Sequence, residues 1–107
     1  MYFTAVGFRY RGVDPSILKG ATITLENEPT NSYDKNAIKI LSDGRRVGYV
    51  CGEDTYNVKE LMTTNYTIEL CTLFKASAIL DIKKENTFSE SLTNFLKLNL
   101  RPITLMK

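Results

Sequence analysis

One short stretch of the 107-residue chain, Glu28 to Ile40 (EPTNSYDKNAIKI), concentrates the side chains with the most chemistry to offer. An aromatic ring, a carboxylate, an ammonium group and an amide follow one another there, as Tyr33, Asp34, Lys35 and Asn36. Short polar side chains that bond to nearby backbone groups are typical of turns, and a residue before proline favours an extended or turn conformation. The stretch therefore predicts a turn that feeds a strand. The large ring of Tyr33 is the feature that a purely structural interpretation leaves unexplained.

Catalytic and metal-binding chemistry has little support in the composition. The sequence contains no histidine, which removes the usual general base and the commonest metal ligand. The two cysteines, Cys51 and Cys71, lack a Cys-x-x-Cys spacing and are interpreted as buried free thiols. The acids that could hold magnesium show no recognisable metal spacing; they are Glu26, Glu28, Asp34 and Asp43. We therefore expect a protein that is not an enzyme and that holds neither a metal nor a cofactor.

The overall composition indicates a globular protein. Hydrophobic residues make up 43% and charged residues 24% of the chain, which is ordinary for this class. No apolar run approaches the roughly 20 residues of a membrane span, and the first residues lack the pattern of a signal peptide. We therefore expect a cytoplasmic protein without membrane association. Because the net charge is only +2, a nucleic-acid site would have to be local and depend on few phosphate contacts.

The elements that must position these residues are mostly strands. Alternating or β-rich patterns predict strands at Tyr2–Tyr10, Ala21–Asn27, Asn36–Ser42, Arg45–Cys51, Tyr66–Phe74 and Ala76–Lys84. The Asp43-Gly44 pair is a strong hairpin signal, so the strands on either side of it should pair antiparallel. Capping and turn residues predict a short helical turn at Asp14–Gly20 and helices at Gly52–Thr64 and Thr87–Leu100.

Five to six short strands with two helices predict a mainly β fold of the α+β type. A small β-barrel or a strongly bent sheet would bury the apolar face of each strand, and the helices would cover its openings. Closure would also remove the exposed strand edges that promote aggregation. We expect a single domain over residues 1–107, with residues 86–107 as a C-terminal helix and tail extension.

Three segments together closely resemble the HIRAN domain family: GFRY, EPTNSYDKNAIKI and DGRRVGYV. In that family a segment of the Gly-x-Arg-Tyr type comes first. It is followed by a motif that contains an acidic residue before proline, then an asparagine, then Tyr-Asp-x-Asn-Ala-Ile-x-Val. A strand with Gly-Tyr or Gly-His comes last. The resemblance runs from about Thr4 to about Phe74, and YDKNAIKI is its most specific part. The resemblance implies a small OB-like or SH3-like β-barrel that binds the 3′ end of single-stranded DNA, as the best understood members do. It also implies a free-standing small protein of the bacterial or phage type.

The resemblance also implies how the stretch would read a strand end. Tyr33 matches the ring that stacks on the terminal base, and a base–aromatic stack contributes about 1–3 kcal/mol whatever the sequence. Asp34 matches the acid that accepts a hydrogen bond from the free 3′ hydroxyl, and the same charge would repel a phosphate placed there. Asn31 matches an asparagine of the same loop. Lys35 is a candidate to hold the nucleic-acid backbone.

Two further segments complete the implied site. Arg9 and Tyr10 match a phosphate contact and a second stacking ring, and Tyr49 stands where the family often has histidine. The chain departs from the family at Glu53 and Asp54, where DNA-binding members carry basic residues. The resemblance implies one more aromatic contact, for which Phe74 is a candidate. Four further basic side chains are interpreted as solvated surface charge that could form a stripe beside the pocket; they are Arg11, Lys39, Arg45 and Arg46.

A second hypothesis keeps the barrel and changes its use. The module would then serve as a protein-interaction domain or a phage-encoded inhibitor, with a protein partner or a second copy bound through the amphipathic C-terminal helix. A dimer that does not bind DNA would favour this alternative.

Overall fold

The structure is a computed structural model and describes residues 1–85, which contain six β-strands, one α-helix and three short 3₁₀ turns. The strands are β1 (Tyr2–Val6), β2 (Ile23–Asn27), β3 (Ile38–Ser42), β4 (Arg45–Val50), β5 (Tyr66–Leu73) and β6 (Ala78–Lys84). The helix α1 is Thr55–Met62, and the 3₁₀ turns are Phe8–Arg11, Pro15–Leu18 and Gly52–Asp54. The helix predicted at Thr87–Leu100 lies outside the described residues. Within residues 1–85, no helix is long and apolar enough to cross a membrane.

The six strands form one antiparallel sheet in the order β2-β3-β4-β1-β6-β5. The sheet curls into a half-barrel, so its two edge strands, β2 and β5, approach each other. The Tyr66 hydroxyl links these edges, because it lies 3.3 Å from both the backbone nitrogen and the backbone oxygen of Leu25. The predicted mainly β, barrel-like fold is thus confirmed at this level.

The apolar faces of the strands form one core inside the curl. Phe3, Ile38, Ile40 and Leu80 are among the side chains that are almost fully buried there. The helix α1 contributes Val58, which is fully buried. The predicted turn at Pro15 also forms, since Asp14 caps it by accepting a hydrogen bond from the Ser16 backbone nitrogen.

Two predictions need correction. The first strand, predicted to reach Tyr10, ends at Val6, because Gly7 adopts a left-handed conformation (φ 83°) and turns the chain into the 3₁₀ turn Phe8–Arg11. The cysteines are free, but they are not buried: Cys71 is exposed and Cys51 is half-buried.

Candidate functional site

An open cleft of about 920 Å³ lies where the end of β1, the β2–β3 loop and the end of β4 meet. Its volume falls within the range of small-ligand pockets, about 300–1,000 Å³. The first wall comes from β1 and the turn after it, with Val6, Gly7, Tyr10 and Arg11. The second wall is the loop, with Glu28, residues 30–34 and Ala37, and the third contains Arg46, Tyr49, Val50 and Gly52.

The Glu28 carboxylate connects the walls of this cleft. Its Oε1 accepts hydrogen bonds of 2.9 Å from Asn31 Nδ2 and from the Tyr49 hydroxyl, and its Oε2 accepts one of 2.7 Å from Arg46 Nη1. The side chain is 13% exposed, so these bonds replace most of its contact with water. The bond from Asn31 lowers the pKa of Glu28 most, the bonds from Tyr49 and Arg46 lower it further, and partial burial acts in the opposite direction.

Asn31 transmits this anchoring to the loop. Its Oδ1 accepts hydrogen bonds from the backbone nitrogens of Tyr33 (2.9 Å) and Asp34 (3.0 Å). The loop therefore has the Asx-turn geometry that the sequence predicted, with its asparagine fixed at the other end to Glu28. The backbone completes the anchoring, since the Glu28 nitrogen donates to the Ala37 oxygen at 2.9 Å.

Asp34 is exposed, and one of its two carboxylate oxygens is hydrogen-bonded. Its Oδ1 accepts a 2.8 Å hydrogen bond from the Asn36 backbone nitrogen, which fixes the direction of the carboxylate. Its Oδ2 has no hydrogen-bond partner within residues 1–85. Lys59 bonds to the Asn36 side chain at 3.2 Å and supports the same corner. The cleft is thus lined by a fixed carboxylate with an oxygen available to accept a hydrogen bond.

Two tyrosines on different walls of the cleft are almost entirely in solvent. Tyr10 is 95% exposed and Tyr33 is 98% exposed, although aromatic side chains are normally at least partly buried. Both line the cleft, so their rings are available to a flat ligand entering it. Tyr49, by contrast, is half-buried, and its hydroxyl is occupied by Glu28.

A β-bulge brings Arg46 and Tyr49 onto the same face of β4. Ile40 pairs with Gly48 and Leu41 pairs with Arg46, which leaves Val47 as an extra residue in β4. In a regular strand, residues three apart point to opposite faces, and one inserted residue reverses that relationship. Both side chains can therefore reach Glu28.

Two glycines allow the walls to come together. A Cβ atom at Gly48 would lie 2.7 Å from the Val6 backbone oxygen and 3.3 Å from the Phe8 ring. A Cβ atom at Gly7 would lie 3.3 Å from the Tyr49 ring, and Gly7 also has a positive φ. Side chains at these positions would separate β1 from β4, so the cleft requires glycine at both.

The structure brings together five of the seven site residues that the sequence singled out. The residues that line the cleft are Tyr10, Asn31, Tyr33, Asp34 and Tyr49. Arg9 and Lys35 are exposed and do not line it. Sequence reasoning did not assign Glu28, Arg46 or Arg11 to the site.

Four other charged residues considered in the sequence lie outside the cleft. Glu53 and Asp54 do not line the cleft, and Asp54 Oδ2 accepts a 2.9 Å hydrogen bond from the Thr4 backbone nitrogen. Lys39 pairs with Glu26 at 3.1 Å. Arg45 is exposed and outside the cleft. Within residues 1–85, no group of acids and cysteines is arranged to hold a metal ion.

Fold and cleft together define a small, mainly β binding domain with exposed aromatic rings and a fixed carboxylate. The HIRAN domain model matches residues 1–93, and the chain belongs to the HIRAN domain family. HIRAN domains are DNA-binding modules that are generally non-catalytic by themselves, so membership supports nucleic-acid binding by this chain.

A solved structure agrees with this assignment. The chain is similar to the crystal structure of the HIRAN domain of human HLTF, with 26% sequence identity and a TM-score of 0.52. The match covers 79% of this chain and 76% of that chain. Among curated proteins, the comparison found no match.

Proposed function

We propose that the cleft binds the 3′ end of single-stranded DNA. The observation that carries the proposal is the anchored loop, which presents the exposed Tyr33 ring next to the Asp34 carboxylate. The terminal base stacks on Tyr33, and Tyr10 on a different wall offers a second ring. Each stack contributes about 1–3 kcal/mol and tolerates any base, so recognition is independent of sequence.

Asp34 distinguishes a free end from any other part of the strand. Asp34 Oδ2 accepts a hydrogen bond from the 3′ hydroxyl, a bond strengthened by the charge of the carboxylate. A phosphodiester or a terminal phosphate at the same position meets a negative charge instead. Specificity thus comes from repulsion as well as attraction.

Residues around the cleft contribute to the path of the strand. Arg9 and Lys35 are exposed near the two walls and attract the phosphate backbone. Tyr49 shapes the wall against which the terminal nucleotide rests. The pairing of Ala5 with Ala78 places the β5–β6 turn beyond the end of β1, so the exposed Phe74 is available for a further base.

We also propose an architecture and a cellular location for the module. Residues 1–107 form one domain with an OB-like barrel, and residues 86–107 are an extension to it. The protein acts in the cytoplasm and performs no chemistry on the strand. The C-terminal extension is the place where a protein partner or a second copy would bind.

The test compares a linear strand with a circle. Fluorescence anisotropy at low salt would measure the binding of a short labelled single strand, with unlabelled competitors of equal length and sequence that are either linear or covalently closed. The linear strand is expected to compete and the circle is not, since only the former has an end. Equal competition by both would mean that the cleft binds strands without reading their ends.

A further inference from the structure

The charged side chains that line the cleft are two acids and two bases: Glu28, Asp34, Arg11 and Arg46. Arg46 is committed to Glu28 through a 2.7 Å ion pair, so these two charges largely cancel. Arg11 has neither a hydrogen bond nor an ion pair within residues 1–85. The charges left for a ligand in this lining are therefore one carboxylate, Asp34, and one guanidinium, Arg11.

Arg11 reaches the cleft because of the turn that carries it. The 3₁₀ turn begins after Gly7 and ends at Arg11, and the nitrogen of the following Gly12 donates to the Arg9 oxygen at 3.0 Å. A 3₁₀ turn has about three residues per turn, so side chains two positions apart point about 120° away from each other. Arg9 and Arg11 thus point in different directions, and of the two only Arg11 lines the cleft.

We infer that Arg11, rather than Arg9, makes the direct phosphate contact in the cleft, and that this contact is to the single phosphodiester next to the terminal nucleotide. The inference rests on the proposed function. A guanidinium pairs with a phosphate through two parallel hydrogen bonds, a geometry that suits an arginine not already bound. One free cation and one free carboxylate match one phosphodiester and one hydroxyl, which is the chemistry of a terminal dinucleotide.

The salt dependence of binding provides the test. For a single strand, each phosphate that a protein neutralises adds about 0.7 to the slope of log K against log salt concentration. Anisotropy titrations from about 50 to 200 mM salt would use a short labelled strand with a free 3′ hydroxyl and the full chain. The variants are Arg11→Gln, Arg11→Lys, Arg9→Gln and, as a matched control, the exposed Arg45→Gln outside the cleft. Because these side chains are exposed, circular dichroism should show unchanged folding.

The expected result is that Arg11→Gln weakens binding about tenfold at low salt and reduces the slope by about 0.7, whereas Arg11→Lys keeps the slope. Arg45→Gln should match the unaltered protein, and Arg9→Gln should change the slope less than Arg11→Gln. Normal binding by Arg11→Gln, or a loss of slope in Arg9→Gln alone, would overturn the inference and leave the proposed function standing. If the unaltered protein binds no strand at all, the proposed function fails, and the inference fails with it.

Discussion

Asn31 Nδ2 donates a 2.9 Å hydrogen bond to Glu28 Oε1, and this bond ties the most exposed part of the site to a carboxylate that is largely out of solvent. The other atom of the same amide, Oδ1, receives the backbone nitrogens of Tyr33 and Asp34. The Asn31 side chain thus fixes the conformation of the β2–β3 loop relative to Glu28. The order of the loop before binding reduces the entropy that binding must overcome.

Replacing Asn31 tests this role. Asn31→Ala removes both the bond to Glu28 and the two bonds to the loop backbone, so the loop must be ordered when the strand binds. We expect the Kd for a 3′ end, measured by anisotropy, to rise about tenfold, or ~1.4 kcal/mol. The matched control is Asn57→Ala on the exposed side of α1, which should leave the Kd unchanged. Equal affinities of the Asn31 variant and the unaltered protein would show that the loop does not need this anchor.

The Glu28 carboxylate should make stability depend on pH. Its pKa is lowered from the ordinary 4.5 in the folded protein, mainly by Asn31. The charge therefore stabilises the fold above pH 4.5, and this contribution is lost as the pH falls through the folded-state pKa. Glu28→Gln should lower the Tm at neutral pH by about 4–8 °C, corresponding to ~1 kcal/mol, and the gap should close in acid.

Thermal unfolding across a pH series would check this, with Glu26→Gln as the control. Glu26 is 59% exposed and pairs with Lys39 at the surface, so its loss should have little effect. The assignment fails if both variants behave alike, or if the Glu28→Gln gap persists at low pH.

Gly48 should tolerate no side chain. A Cβ atom there would lie 2.7 Å from the Val6 backbone oxygen, a contact that only a shift of the backbone could relieve. Gly48→Ala should therefore reduce the free energy of unfolding by about 1–3 kcal/mol, as overpacking of a core usually does. Gly52→Ala is the control, because nothing lies within 4 Å of its Cβ position. Chemical denaturation of the two variants would show whether the close approach of β1 and β4 is required.

The Tyr66 hydroxyl should hold the half-barrel closed. Tyr66→Phe leaves the Leu25 backbone groups without this partner, and we expect a loss of about 0.5–1.5 kcal/mol of stability. Hydrogen exchange at the Leu25 amide should accelerate in the variant. Tyr56→Phe, at a tyrosine that is 73% exposed, should change neither quantity. An unchanged Leu25 exchange rate in Tyr66→Phe would mean that the two edges are linked by other contacts.

The sequence predicts the elements of this fold well because their signals are local. The Asp43-Gly44 pair predicts the β3–β4 hairpin, whose two turn residues have φ values of 50° and 83°. The exposed loop with Tyr33 and Asp34 is predicted for the same reason, since Asx-turn chemistry acts over a few residues. The predicted first strand is too long because the sequence alone does not distinguish a glycine in a left-handed conformation, as at Gly7, from a glycine in a β-bulge.

The cleft walls could not be predicted because they depend on contacts between distant residues. Arg46 and Tyr49 share a face only because Val47 is an extra residue in β4, and strict alternation would place them on opposite faces. For the same reason the sequence does not identify Glu28 as the common partner of both side chains. Arg9 and Arg11 point in different directions because they lie in the 3₁₀ turn Phe8–Arg11, whereas the sequence predicted that the first strand continues to Tyr10.

Asp34 is proposed to accept a hydrogen bond from the 3′ hydroxyl, and a comparison of two chemically different 3′ ends tests this role. Anisotropy at low salt would give the Kd of a strand with a 3′ hydroxyl and of the same strand with a 3′ phosphate, for the unaltered protein and for Asp34→Asn. Asparagine keeps the shape and an oxygen for the Asn36 nitrogen but removes the charge. We predict that the unaltered protein prefers the hydroxyl by about tenfold or more, consistent with ~1–4 kcal/mol between charges about 4 Å apart, and that Asp34→Asn loses most of this preference. Equal binding of the two strands by the unaltered protein, or an unchanged preference in Asp34→Asn, would mean that the Asp34 charge does not distinguish the two ends.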